Sequence, residues 1–305
     1  MEKIVLPPRF PETICGVYGE EGQKWLEQLG LLLQVCEHRW ALEIQYETPY
    51  TLSYNYVTPV VLPGGAPAVL KLGVPGKENR TEIEALSMFA GEGMVRLLDA
   101  DPVQGIMLLE KVMPGVTLDA VGQEEEQTRA AVEVLGRLRR TNSASSLFPT
   151  VADWFEGLGR MREHFHGGTG PLPEKLVELA EAWSAKLIST IREPRLLHGD
   201  LHHGNILSAA REPWLAIDPK GVIGETEYEC IAYLRNHLPK GDEQDTLRRR
   251  VEHLVKGLDV QRDRVLAWGL SHSILSAWWH LGENTEGWED AVRQAEWFEL
   301  LLKHT

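Results

Sequence analysis

Apolar residues first recur with a helical period over residues 23–40, where Trp25, Leu26, Leu29, Leu32, Leu33 and Cys36 share a face. Over residues 42–61 the pattern turns to strand chemistry, with Ile44, Tyr46, Tyr50, Tyr54, Tyr56 and Val57. Pro63-Gly64-Gly65-Ala66-Pro67 demands a turn. Residues 68–72 (Ala-Val-Leu-Lys-Leu) read as the returning strand of a hairpin. Residues 79–90 predict a helix closed by Gly91 and Gly93, and residues 95–98 and 105–109 predict another strand pair. After Met113-Pro114-Gly115 the helical period dominates, over about 124–140, 151–165, 174–191, 243–257, 262–281 and 287–303. An irregular stretch, 196–224, interrupts it. The pattern predicts an α+β chain in which a small sheet with one helix is followed by a mostly helical part. The expected boundaries are 1–110, a connecting 111–115, and 116–305.

Composition narrows the function classes. The chain has 305 residues, enough for two cores, with 31 basic and 45 acidic side chains and a formal charge of -14. That balance argues against nucleic acid, whose binding rests on neutralising phosphates with Lys and Arg. It is compatible with a cationic small molecule. Cys15, Cys36 and Cys230 are scattered, which argues for reduced thiols rather than a disulfide framework or a zinc site. The start, Met1-Glu2-Lys3-Ile4-Val5-Leu6-Pro7-Pro8, lacks the apolar run of a signal peptide. No stretch approaches the roughly 20 apolar residues of a membrane helix. A cytoplasmic protein is expected.

The candidate chemistry lies in the irregular stretch. His198-Gly199-Asp200-Leu201-His202-His203-Gly204-Asn205-Ile206-Leu207 is followed by Ile217-Asp218-Pro219-Lys220-Gly221. Phosphoryl transfer needs a carboxylate to orient and deprotonate the attacking hydroxyl, and oxygen ligands to hold Mg²⁺ against the phosphates. An Asp, an Asn five residues on, and a second Asp ending a short apolar strand have that spacing. Asp200 is the expected base, Asn205 and Asp218 the expected metal ligands, and His198 a packing residue. A hydrolase-type metal cluster of His198, Asp200, His202 and His203 is the alternative, but it leaves the downstream Asp-Pro-Lys-Gly unexplained.

Upstream, Lys71 on its predicted strand suits a lysine that pairs with α- and β-phosphates. Glu82, with Leu86 and Phe89 four and seven residues on, is its expected partner, and Glu84 the alternative. Glu110 and Val112, at the end of Met107–Val112, are expected to turn backbone groups toward an adenine. A Gly-x-Gly-x-x-Gly loop is missing, and Gly76-Lys77 makes no P-loop because Lys71 stands where its first glycine belongs. Ser53 and backbone N–H groups are the expected phosphate cover.

With these residues in hand, the chain resembles the aminoglycoside phosphotransferase superfamily, and most closely its streptomycin 6-phosphotransferase / hydroxyurea phosphotransferase branch. The resemblance rests on residues 198–207, on Ile217-Asp218-Pro219-Lys220-Gly221 with Gly224-Glu225, Tyr228-Glu229 and Leu234-Arg235-Asn236, and on Leu108-Leu109-Glu110 with Pro114-Gly115. It implies a bilobal protein-kinase-like fold: a β-rich nucleotide-binding N-lobe (1–110), a hinge (111–115) and a helical C-lobe (116–305). It implies ATP, Mg²⁺, and transfer to a hydroxyl of an antibiotic, streptomycin first. Glu229 becomes a structural acid on the helix after the catalytic loop. Glu225-Thr226-Glu227 departs from the branch's usual Asp or Pro, which bears on substrate identity. A cationic acceptor would need carboxylates around Asp200, for which Glu225, Glu227, Asp153 and Glu283 are candidates, with Trp278 and Trp279 as walls. Another small polar metabolite is the alternative acceptor. A non-catalytic ATP-binding protein is disfavoured because Lys71, Asp200, Asn205 and Asp218 are all present. A protein kinase is disfavoured because His202 stands in place of its catalytic-loop lysine.

Overall fold

The computed structural model describes residues 6–46, 50, 52–139 and 146–303. Met1–Val5, Thr51 and residues 47–49, on which parts of the reading above fall, lie outside them. The chain divides into two compact units, Met1–Gly115 and Val116–Thr305.

The first unit opens with α1 (Arg9–Trp40), whose regularity is broken at Gly19 (φ 56°, ψ −130°). The apolar period predicted only its second half. Pro11, Gly16 and Gly19 punctuate the first half, which nonetheless buries Phe10 and Ile14. Strands β1 (Glu43–Ile44), β2 (Asn55–Val61), β3 (Pro67–Gly73), β4 (Leu97–Asp101) and β5 (Ile106–Glu110) form one antiparallel sheet ordered β1-β2-β3-β5-β4. The core lies between one sheet face and α1, joining Trp25, Leu29, Leu33 and Cys36 to Tyr56, Leu70, Leu72 and Leu108. Alternation along β3 sends Leu70 and Leu72 into that core and Lys71 to the opposite face. Helix α2 (Lys77–Phe89) follows β3.

Strand β6 (Pro114–Thr117) carries the chain onward. The second unit contains α3 (Glu124–Leu138), α4 (Val151–His164), α5 (Glu174–Ser189), α6 (Thr226–Arg235), α7 (Glu243–Leu258), α8 (Arg262–Gly282) and α9 (Trp288–Lys303). Helix α8 is its axis: it packs against α4, α5, α6, α7 and α9 and buries Trp268, Leu270, Ile274 and Leu275. Between α5 and α6 run β7 (Arg195–Leu197), β8 (Ile206–Ala209), β9 (Trp214–Ala216) and β10 (Val222–Gly224), with β7 paired to β10 and β8 to β9. Periodicity gave no sign of α6, because the helix is buried on almost every side and carries no polar stripe. No helix among the described residues is long and apolar enough to cross a membrane.

One charged residue ties these helices together. Arg250 on α7 is completely buried and grips Glu124, the first residue of α3, through Nε (2.6 Å) and Nη2 (2.8 Å). Its remaining N–H groups donate to the carbonyls of Tyr233, Asn236 and His237 at the end of α6. Its guanidinium lies 4.9 Å from the centre of the Tyr233 ring, whose hydroxyl meets Thr128 of α3 at 3.0 Å. Removing it leaves a carboxylate and three carbonyls without donors. Arg250→Met should therefore lower the unfolding free energy by about 3–5 kcal/mol. Urea denaturation followed by circular dichroism reads this directly, and a loss under about 1 kcal/mol would mean that apolar packing alone holds α3, α6 and α7.

Candidate functional site

The two pairings β7–β10 and β8–β9 bring two connecting segments side by side. Residues 198–205 leave β7 for β8, and residues 217–221 leave β9 for β10. Leu197 faces Val222 and Ile206 faces Ala216, so both segments emerge from the same pair of hairpins. Gly199 makes the turn (φ 83°), and a Cβ there would lie 2.9 Å from Val222 Cγ1 and 3.1 Å from Trp154 Cη2.

His198 bridges the segments. It is completely buried. Its Nδ1 accepts the Asp200 N–H at 3.2 Å, so its proton sits on Nε2, which donates to the Ile217 carbonyl at 2.7 Å. Burial pulls its pKa down to about 4 and keeps it neutral. The His198 carbonyl in turn accepts from Lys220 N–H at 2.8 Å. Glu229 on α6 fixes the other side: its carboxylate accepts the N–H of His198 at 2.6 Å and of Gly199 at 3.1 Å. Burial raises Glu229 to about 7 against the pull of those two donors. His203 is buried and stacked on Tyr233 with centroids 4.3 Å apart, and burial drives its pKa down to about 2. The loop thus stands on the Tyr233–Arg250 assembly.

The constellation expected from sequence comes together here. Asn205 Nδ2 donates to the Asp200 carbonyl at 2.9 Å, which leaves Asn205 Oδ1 as an available acceptor. The Asn205 carbonyl accepts Ile217 N–H at 3.0 Å, so Asp218 starts beside Asn205. Asp218 is exposed and adopts φ 58°, a left-handed conformation that costs energy outside glycine and clusters at functional sites. The Asp200 carboxylate makes no hydrogen bond among the described residues. Burial raises its pKa, an effect opposed by His202, Lys220 and Arg235 and reinforced by Asp218.

In the first unit, Lys71 Nζ and Glu82 Oε1 are 2.6 Å apart and both residues are buried. Glu82 is thus the acid at the lysine. Glu110 Oε2 accepts Arg96 N–H at 3.1 Å, and Glu110 N–H donates to the Arg96 carbonyl at 2.9 Å, so this N–H is already taken. Val112 N–H makes no hydrogen bond among the described residues. The Val112 carbonyl sits so close to Gly115 (φ 74°) that a Cβ there would be 2.7 Å away, which reserves this turn for glycine. Ser53 is exposed, two residues before β2.

The residues expected around the acceptor have these surroundings. Glu225 does not offer a free carboxylate: it is buried, held by Arg264 Nε at 3.0 Å and Nη2 at 2.7 Å, and bonded to Trp268 Nε1. Asp153 is spent on the capping box of α4, accepting from Thr150 N–H at 2.6 Å and Thr150 Oγ1 at 2.9 Å. Glu227 accepts Gln261 N–H at 3.3 Å, and Glu283 caps the end of α8 through its backbone N–H. Trp278 packs on His164 and Phe165, whereas Trp279 packs on Trp154, which borders Gly199. Trp154 borders Gly199, and Tyr228 and Arg235 interact electrostatically with Asp200; none of the three has a recognisable spacing. Only the resemblance marked Tyr228 and Arg235.

Glu229→Ala should strand two buried N–H groups, lower stability by about 2–5 kcal/mol, and reduce turnover more than that loss alone. Thermal unfolding and activity at a temperature where the variant stays folded separate the two effects. Full turnover in the folded variant would remove Glu229 from loop positioning.

Residues 39–283 match the aminoglycoside/hydroxyurea antibiotic resistance kinase family. The chain is 31% identical over 288 residues to streptomycin 6-kinase of Streptomyces griseus, covering 92% of each protein. It is 33% identical over 290 residues to hydroxyurea phosphotransferase of Kitasatospora aureofaciens, covering 91% of this chain and 81% of that one. In fold it is similar to a thermostable mutant of an aminoglycoside phosphotransferase, solved with ADP and hygromycin B, at a TM-score of 0.62 and 13% identity over 88% of this chain and 97% of that one. The fold is therefore the protein-kinase-like α+β fold, and the chain, a small-molecule phosphotransferase, belongs to the aminoglycoside/hydroxyurea antibiotic resistance kinase family.

Proposed function

We propose that the protein transfers the γ-phosphate of ATP to a hydroxyl of an antibiotic-type small molecule, with Asp200 as the base. The observation that carries this reading is the loop 198–205, which holds an unpaired Asp200 carboxylate beside Asn205 and Asp218. Residues 1–110 are the nucleotide lobe, 111–115 the hinge and 116–305 the acceptor lobe, and the reaction belongs in the cytoplasm, where ATP is made and used.

Asp200 orients the acceptor hydroxyl and receives its proton as the oxygen bonds to phosphorus. Asn205 Oδ1 and the Asp218 carboxylate are hard oxygen donors on adjoining segments, a set that fits Mg²⁺. When bound, the ion neutralises charge on the phosphate oxygens. Lys71, preorganised by Glu82, offers its ammonium to the α- and β-phosphates. The Val112 N–H and the Glu110 carbonyl supply adenine contacts, and Ser53 with neighbouring backbone covers the phosphates.

Streptomycin is the first acceptor to test, given the relative that shares 31% identity. A second reading, a small uncharged acceptor of the hydroxyurea type, is favoured by the engagement of Glu225 and Asp153, which removes two of the carboxylates a polycation would need.

ADP release from purified protein with ATP and Mg²⁺ should appear with streptomycin or hydroxyurea and vanish in Asp200→Ala, while the variant still binds nucleotide. Near-normal release by that variant would eliminate Asp200 as the base. Lys71→Ala should slow transfer by about 100-fold or more through lost charge stabilisation.

A further inference from the structure

Three imidazoles meet beside the turn that carries Asn205. His202 and His203 belong to the loop, and His237 lies two residues past α6. The His237 ring stacks on His202, with centroids 5.9 Å apart and planes 25° from parallel, and it leans on His203 at 4.9 Å. His203 in turn stacks on Tyr233. Both ring nitrogens of His203 are buried without a hydrogen bond among the described residues, so ring packing rather than hydrogen bonding holds that side chain.

His202 holds the turn. Its Nδ1 accepts the Gly204 N–H at 3.0 Å and its carbonyl accepts the Asn205 N–H at 2.9 Å, while its own N–H donates to the Asp200 carbonyl at 3.0 Å. Two successive N–H groups of the turn therefore depend on one residue, much as the end of a helix depends on its Ser or Asp cap. The bond to Nδ1 places the imidazole proton on Nε2. The fit is close: a Cβ at Gly204 would lie 3.0 Å from His202 Cε1 and 3.2 Å from Nδ1. A ring nitrogen accepts only near the plane of its ring, so this cap works at one ring orientation.

Stability does not explain His237. Its φ of 54° is left-handed, a conformation that suits glycine or asparagine better and costs energy elsewhere. Asp119 Oδ2 is 3.6 Å from its Nδ1, too far for a hydrogen bond, and the two side chains are 38% and 40% exposed, so solvent weakens the pair. Burial lowers the pKa of the ring, which is therefore neutral at pH 7. The bond to Arg250 uses the His237 carbonyl and needs no imidazole. The contacts left to account for the ring are those with His202 and His203.

We infer that His237 is a positioning residue for Asn205. Its ring holds the His202 imidazole in the orientation in which Nδ1 caps the turn, and the capped turn fixes Asn205 with Oδ1 free. Groups one layer behind a metal ligand set metal affinity nearly as strongly as the ligands do. The inference rests on the reading of Asn205 and Asp218 as the Mg²⁺ ligands.

Mn²⁺ binding in the presence of a non-hydrolysable ATP analogue, followed by electron paramagnetic resonance, reads metal affinity without turnover. His237→Asn tolerates the left-handed backbone and removes the ring. It should weaken Mn²⁺ binding about 10-fold and move the thermal midpoint by less than about 2 °C. His237→Phe restores a flat ring and should recover most of the loss. His202→Ala should lose at least as much as His237→Asn. In His202→Asn the amide caps the turn by itself, so adding His237→Asn to it should cost less than about 2-fold. Unchanged Mn²⁺ affinity in His237→Asn or in His202→Ala overturns the inference. So does a folded His237→Phe as weak as His237→Asn, or a full loss from His237→Asn in the His202→Asn background. If His237→Asn does not fold, His237→Gly, which the same φ suits, decides by the same comparison. Asn205→Ala controls the underlying reading and should weaken Mn²⁺ more than either histidine variant. If it does not, or if the unmodified protein binds no Mn²⁺, the metal assignment itself falls. If it does while His237→Asn has no effect, the positioning role alone falls.

Discussion

The carboxylate of Glu229 accepting two consecutive backbone N–H groups is the contact on which the rest of the site depends. Those N–H groups belong to His198 and Gly199, the residues that aim Asp200. A buried carboxylate is costly unless its oxygens are satisfied, and buried N–H groups are costly unless they donate. Each side removes the other's penalty, so the loop has one favourable position. His198 extends the constraint to the next segment: with its proton fixed on Nε2, it receives from Asp200 and gives to Ile217. Asp200 and Asn205 are held by the loop backbone and by Asn205 Nδ2 on the Asp200 carbonyl, and Asp218 follows Ile217, whose N–H binds the Asn205 carbonyl. That leaves Asp200's carboxylate unpaired, as a group awaiting a substrate must be.

The same logic runs through α6. This helix carries Glu229 for the loop, Tyr233 under His203, and Arg235 near Asp200, and its carbonyl end is gripped by Arg250. A helix with so many inward obligations has no outward polar stripe. That is why the 3.6-residue period did not reveal it, although the period located the other helices of its unit within a few residues.

Legibility in the sequence followed the range of the interactions. Lys71 was visible because strand alternation separates it from Leu70 and Leu72, and Glu82 because Leu86 and Phe89, four and seven residues on, share its helix face. Asp200, Asn205 and Asp218 were visible because their chemistry depends on local spacing. The acceptor side was not. Whether Glu225 is free depends on Arg264 and Trp268, about forty residues away on another helix. Nothing near position 225 announces them. The first half of α1 was hidden for a local reason, since Pro11, Gly16 and Gly19 interrupt the period while tertiary burial of Phe10 and Ile14 sustains the helix.

This difference bears on how acceptor choice arises within one phosphotransfer framework. The catalytic loop is satisfied internally and can stay constant while the wall changes. Beside Gly199, Trp154 packs on Trp279, and two of the expected acids, Asp153 and Glu225, are consumed in a helix cap and an ion pair. The overall charge of -14 therefore says little about the site, because charge acts through the few groups left unpaired near the reacting atoms. Surface carboxylates far from the reacting atoms are screened by solvent and contribute little there.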